Sequence, residues 1–429
     1  MKLILGSFVI LFLSFQLTCY AQSESKTLSE DQQKYFESIY RDTWSYLNDY
    51  VEPLTGLPYD SSARQPPTSL SNVGYYLTAV SIASKTSLLT REEALRKVQK
   101  CIESVDQIEK WRGIPRPWVI VRNLKPTYGD EFSYGPHLAN LIGGLIVAKS
   151  TFPELIDLVN RVITPMKIKD LYEKKNDWLK GGYDAKQQNF AIYQPWGTWY
   201  YKYFASETRL LSFYGIARGL FPREHWYALI RPTIQNKDGE TFFITGYEEG
   251  GIATSFAASI FLDERKSEIG KSQKNYIQYQ MKHAKRISAP VWGWSISESP
   301  RGNFLTHGEL RNDIVAPYAS MLAAIYFPDE AYKNLRKLEA FGARPPSEGY
   351  GFRDSVNWEN GQTAEHYLTV NQGMGFLALA NLLYDGIVWK SFGEDPTVKK
   401  GIELLNFSDE PDIKLENKMF TTEQQKKSF

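Results

Sequence analysis

Val73, Tyr76, Leu77 and Val80 stand at i, i+3, i+4 and i+7 behind Thr68, Ser69 and Ser71, three residues suited to capping a helix N-terminus. This recurring spacing constrains the fold more than any other feature. Leu155, Leu158, Val159 and Val162 repeat it after Pro153, a residue favoured in a first helical turn. Further helices are predicted near 29–50, 90–110, 137–150, 205–219, 249–263, 270–286, 312–326, 328–341 and 367–384. Between them lie stretches rich in Gly, Pro and aromatic residues: Gly56 to Pro67, Gly113 to Asp130, Gly181 to Gly197, Gly239 to Gly246, Ala289 to Gly308 and Gly342 to Gly361. Alternating strand–helix patterning, sustained heptads and a fixed repeat of about 30–45 residues are absent. About twelve helices joined by long aromatic loops fit an all-α toroid of helical hairpins, with the loops of one end lining a cleft.

Composition narrows the partners. Of 429 residues, 42% are hydrophobic and 23% charged, which excludes a disordered or multi-pass membrane protein. A net charge of +1 gives no basic field for a phosphate backbone, so no nucleic acid partner is expected. Aromatic residues make up 14% of the chain and serve either as core bulk or as stacking surfaces.

Lys2, the apolar stretch Leu3 to Leu17 and the Cys19-Tyr20-Ala21 triplet before Gln22 read as a secretory signal over residues 1–21. The apolar stretch is short for a membrane span, so none is expected after signal removal. Thr18 is bulkier than the residue that usually precedes a lipidated cysteine, which argues against an anchor at Cys19. A periplasmic or secreted location follows. Only Cys101 then remains, leaving no internal disulfide. Residues 29–410 are expected to form a single domain acting as a monomer, with a disordered tail over 411–429.

His137, His225, His283, His307 and His366 lack the HExxH pattern or another ligand spacing, so no metal or other cofactor is expected. Gly270-Lys271-Ser272 resembles the end of a phosphate loop, but Arg265 occupies the place of the first glycine, and the segment reads as an exposed helix terminus. Neither a G-x-S-x-G elbow nor a G-x-G-x-x-G after a strand occurs.

The remaining chemistry lies in carboxylates set among aromatics. Glycoside cleavage needs two carboxyl groups, one to protonate the departing oxygen and one to attack or to activate water, together with surfaces that hold the sugar. Four places qualify: Asp130-Glu131 between Tyr128 and Phe132, Glu207 after the aromatic run "YQPWGTWYYKY", Glu248-Glu249 in "GYEEGG", and Glu298 in "VWGWSISESP". Each also fits a carboxylate that merely stabilises a helix N-terminus. Trp196, Trp199, Trp292 and Trp294 are expected to be sugar platforms, and Glu249 and Tyr367 further contacts; ordinary core burial is the competing role of the tryptophans.

Long blocks also carry a family resemblance. "TSLSNVGYYLTAVSIASKTSLLTREEALRKV", "ASETRLLSFYGIARG", "WGWSISES", "DIVAPYASMLAAIYFPDEAYKNLRKLEAFG", "YGFRDSVNW" and "NQGMGFLALANLLYDGIVWKSF", in this order, resemble the bacterial glucoamylase-like family. That family includes endo-β-1,2-glucanases and the glucoamylase-like domain of cyclic β-1,2-glucan synthases. The resemblance runs from about residue 40 to 405. It implies an (α/α)6 toroid, an oligo- or polysaccharide substrate with β-linkages, particularly β-1,2, and paired acids. It further implies that Glu207 and Glu298 lie in the cleft, with Arg209 and Gln372 as polar contacts. His137, in "SYGPHLANLIGG", stands where family members usually carry an aspartate, and Asp130 or Glu131 would then supply a carboxyl group. The membrane-bound synthase parts of some relatives are missing, which favours degradation.

Glu207 and Glu298 are therefore expected to flank the scissile bond, one protonated and one ionised. A separation of about 5–5.5 Å would imply retention and about 6.5–9.5 Å inversion. A non-catalytic glycan-binding protein and a polysaccharide lyase, using His137 or His307 with Tyr134 or Tyr367, are the alternatives.

Overall fold

The computed structural model describes residues 28–63, 66–127, 131–186, 188–190, 200–235, 239–243, 251–305 and 313–405. The expected leader and tail, and Asp130, Trp196, Trp199, Glu248, Glu249 and His307, lie outside the described residues.

The first helices are α1 (Glu30–Asp49), α2 (Leu70–Lys85), α3 (Arg91–Gln107), α4 (Gly135–Thr151) and α5 (Ile156–Ile163). They are followed by α6 (Arg209–Ala217), α7 (Glu224–Ala228), α8 (Gly251–Phe256), α9 (Glu268–Arg286) and α10 (Pro317–Ala323). The chain continues through α11 (Pro328–Ala340), α12 (Thr369–Leu383), α13 (Ile387–Gly393) and α14 (Pro396–Leu405). Local chemistry sets several of the starts. Ser29 and Gln32 bond reciprocally in a capping box at α1, as Thr90 and Glu93 do at α3. Ser69, within the Thr68/Ser69/Ser71 cluster, caps α2 by accepting the Asn72 N–H.

Two kinds of helix alternate. α2, α4, α6, α8, α10 and α12 are buried on nearly every face, whereas α1, α3, α9 and α11 bury one stripe and present charged residues outward. Along the buried set, α10 packs on α8 and α12, α12 on α2, α2 on α4, and α4 on α6. The one-sided helices back them: α1 on α12 and α2, α3 on α2, α9 on α8, and α11 on α10. The α2–α4 contact is backbone on backbone, because a Cβ on Gly74 would lie 2.1 Å from the Asn140 carbonyl oxygen and one on Gly144 2.3 Å from that of Gly74. Only glycine permits this approach.

Several boundaries differ from the periodicity. The helix predicted over 205–219 begins at Arg209, leaving Glu207 in the preceding turn, and that over 312–326 is shortened to α10 by the ladder at Ile314–Val315. Gly270 and Ser272 are buried within α9, where Ser272 Oγ accepts the Phe243 N–H at 2.8 Å. That segment is therefore packed, not an exposed terminus. The long loops hold short antiparallel ladders: 68–69 with 118–119, 131–133 with 182–184, 297–298 with 304–305, and 314–315 with 356–357. Among the described residues no helix is long and apolar enough to cross a membrane, and no group of His, Cys, Asp and Glu is arranged to hold a metal ion.

Candidate active site

The segments that carry the carboxylates each run into the start of a buried helix: Asp60 ahead of α2, Glu207 ahead of α6, Glu298 ahead of α10, and Asp354 ahead of α12. Backbone bonds sew these segments together. The Thr369 N–H donates to the Asp60 carbonyl at 2.8 Å and the Ser62 N–H to that of Tyr367 at 3.0 Å. The Ala316 N–H donates to the Gly293 carbonyl at 2.9 Å.

Glu298 is held from several sides. Its backbone N–H donates to Asp354 Oδ2 at 2.5 Å, its carbonyl accepts from Ser355 Oγ at 2.5 Å, and its Oε1 lies 2.9 Å from His366 Nδ1. The Nδ1–H tautomer of His366 donates here to the carboxylate. The Glu298 side chain is 13% exposed, enough for one face to meet a ligand. Asp354 is buried and also accepts from Asn371 Nδ2 at 2.8 Å. Burial pushes its carboxyl up to about 8, and the Glu298 charge adds to the rise against the hydrogen bonds it accepts. Asp60 accepts from Asn72 Nδ2 at 2.6 Å, and it too is raised, first by burial and further by Glu298.

Glu207 is half-buried and desolvation pushes it up to about 7, so near neutrality it keeps a proton that an exposed glutamate would have lost. Its neighbours link it to the Glu298 group. Burial raises the Tyr318 hydroxyl, which donates to the Ile296 carbonyl at 2.8 Å and is raised further by the charges of Asp354 and Glu207. Tyr75 of α2 also feels Glu207. Glu207 and Asp354 thus both act on Tyr318, while Glu298 acts on Asp354 and Asp60.

His137, near the start of α4, is the other polar element. Its Nδ1 lies 3.1 Å from Ser71 Oγ, which accepts from Asn140 Nδ2 at 3.1 Å. Desolvation lowers His137 to about 4, which keeps it neutral. The Gly74–Gly144 contact makes this α2–α4 bridge possible.

Other expected contacts are placed elsewhere. Arg209 is fully buried and spends its guanidinium on Glu264, at 2.8 and 3.2 Å, and on Phe204 O, Ser255 O and Ser259 Oγ. It is an internal brace, not a sugar ligand. Trp294 is fully buried and Trp292 7% exposed. Gln280 of α9 takes both the N–H and the carbonyl of Trp294, and Asn334 of α11 does the same for Trp292. These indoles are core pins between the outer helices and the loop, not platforms. Tyr367 is buried with its hydroxyl on Glu348 at 2.6 Å, and Gln372 is buried with Nε2 on the Phe352 carbonyl at 2.7 Å. The backbone of Glu131 pairs with Asp184 in the 131–133 ladder; its side chain lies outside the described residues. Asp354, Asp60 and His366 were not singled out by sequence, although Asp60 in "GLPYDSS" and Asp354 in "YGFRDS" share the Gly-and-aromatic context that marked Glu207 and Glu298.

Comparison with known proteins finds similar chains and a shared fold. The profile of a family described as "Putative glucoamylase" matches residues 205–396, and one described as "Protein of unknown function (DUF3131)" matches residues 38–218. Cyclic beta-(1,2)-glucan synthase NdvB of Rhizobium meliloti is 30% identical over 239 residues, which are 48% of this chain but 8% of that protein. The chain therefore spans less than a tenth of that relative's length. A crystal structure described as a "putative glucoamylase" from Bacteroides uniformis superposes with a TM-score of 0.76 at 18% identity, covering 89% of this chain and 98% of the other. The endo-beta-1,2-glucanase from Chitinophaga pinensis, in complex with sophorotriose and glucose, gives 0.73 at 17% identity over 88% and 98%. The structural matches show a shared fold, and residues 205–396 of this chain are similar to the glucoamylase-like family through the first of the two profiles.

Proposed function

We propose that the protein is an exported glycoside hydrolase that cleaves a β-linked glucan, preferentially β-1,2-linked, in an (α/α)6 toroid. The order of contacts among the buried helices and their one-sided partners supports the toroid. The names of the relatives, a cyclic β-1,2-glucan synthase and an endo-β-1,2-glucanase, support the substrate class.

One observation carries the chemistry: Glu207 and Asp354 both act on the Tyr318 hydroxyl, and Asp354 in turn accepts the backbone N–H of Glu298, so that two glutamates 91 positions apart in sequence are linked through one tyrosine and one aspartate while meeting different environments. Glu207, neutral through burial, serves as the acid that protonates the departing glycosidic oxygen. Glu298, held through its backbone by Asp354 and at its carboxyl by His366, supplies the ionised carboxylate that attacks the anomeric carbon or activates water there. Neutral His137 offers its free ring nitrogen to a sugar hydroxyl.

Incubation with linear β-1,2-glucan is expected to release new reducing ends. Glu207→Gln and Glu298→Gln each keep the shape and should lower kcat by several orders of magnitude. Absence of cleavage across a panel of β-glucans, or full activity in either variant, refutes the proposal.

A further inference from the structure

Phe304 is 58% exposed, in a molecule that buries most of its large aromatic side chains. Its place in the ladder gives the exposure a meaning. Phe304 is the direct cross-strand partner of Glu298, flanked by the Ser297–Leu305 pair. The Glu298 N–H goes to Asp354 and its carbonyl to Ser355, while the Ser299 N–H donates to the Asn303 carbonyl at 2.8 Å, so Glu298 and Phe304 form the non-hydrogen-bonded pair. In such a pair the two side chains rise from the same face of the ladder and stand at their closest, with Cα atoms about 4.5 Å apart. An aromatic ring open to solvent therefore stands beside the carboxylate given the central role above.

Resting on the hydrolase reading, we propose that Phe304 is the stacking platform of a glucosyl subsite next to the scissile bond. The apolar face of a pyranose covers the ring while the sugar hydroxyls stay in contact with water and with the polar groups around Glu298. The occupant is a hexopyranosyl unit of the glucan, because the neighbouring carboxylates offer hydrogen-bond acceptors for hydroxyls on the sugar's edge. The platform is also the part of the hairpin that packing does not need: Leu305 turns inward and is buried, whereas Phe304 faces out.

The test pairs Phe304→Ala with Phe304→Trp. The alanine variant is expected to raise KM for linear β-1,2-glucan about tenfold, equivalent to about 1.4 kcal/mol, with kcat nearly unchanged, because stacking contributes equally to ground and transition states. The tryptophan variant should restore KM. Both should unfold at the wild-type midpoint, since the ring is exposed. An unchanged KM in Phe304→Ala overturns the proposal. Titration of intact glucan into wild type and Phe304→Ala separates this inference from the hydrolase reading. If no glucan is cleaved but the alanine variant binds more weakly, the platform stands and hydrolysis falls. Equal binding by both proteins, or binding by neither, overturns the platform.

Discussion

At Glu298 a single side chain takes its direction from two residues that lie well downstream in the chain. Asp354 fixes the backbone and His366 fixes the carboxyl, so removing His366 leaves the carboxylate in place but without its donor. Hydrogen bonds to charged groups contribute about 1.5–3 kcal/mol. His366→Ala is accordingly expected to lower kcat/KM about 10- to 100-fold, and His366→Asn, whose amide nitrogen can stand near the Nδ1 position, should recover part of it. Steady-state kinetics with an unfolding curve checks this; equal loss in both variants, or a loss explained by a lower unfolding midpoint, counts against it. Glu207 and Glu298 stand out in the sequence because each follows a run of tryptophans or tyrosines. The roles of Trp292, Trp294 and Arg209 do not. Alternation at i and i+2 in a Gly/Ser-flanked loop looks alike whether the indoles wall a cleft or are buried with their backbone held by Gln280 and Asn334, and Glu264, the partner that turns Arg209 into a brace, lies 55 positions away.

Among the elements, the α2–α4 pair is the most sensitive, since its glycines set the distance across which Ser71, His137 and Asn140 bond. A methyl group at Gly144 meets the Gly74 carbonyl, and overpacking of this kind costs about 1–3 kcal/mol. Gly144→Ala should lower the urea midpoint without changing the slope and raise KM as the His137 bridge opens; an unchanged midpoint would show that the two helices can separate freely. The one-sided helices α1, α3, α9 and α11 follow the 3.6-residue period that reports burial of one face, whereas α2, read from the same spacing, buries its other faces as well. The helix ends were less readable. The starts of α6 and α10 are set by turns and ladders contributed by other parts of the chain, and α7, α13 and α14 are short elements whose stability comes from packing, as with Gly401 of α14 against Phe213 of α6.

For the whole molecule, the site is held at an electrostatic cost that depends on pH. Glu207 and Asp354, raised by burial to about 7 and about 8, ionise at 4.5 and 3.8 when unperturbed. Folded pKa values above the unfolded ones mean that their contribution to stability is complete below about 4 and is lost as pH climbs through 7 and 8. Glu348, held below its ordinary range by the Arg353 guanidinium, has the opposite sign and loses its contribution as pH falls. The thermal midpoint should therefore be higher near about pH 6 than near about pH 8.5, and Glu207→Gln should narrow that difference. Calorimetry across this range checks it, and a midpoint that rises from the lower to the higher pH contradicts the assignment. Catalysis should fade over the same alkaline range as Glu207 gives up its proton.

In the hydrolase reading the acids lie on loops that precede the internal helices, so the reacting carboxyl groups are carried on pieces inserted into a helical frame. Grafting such a segment, for instance the 297–305 hairpin, from one member of the family into another is then the economical route to a new specificity. The graft would exchange an acid and its adjoining aromatic together while the six internal helices keep their seats.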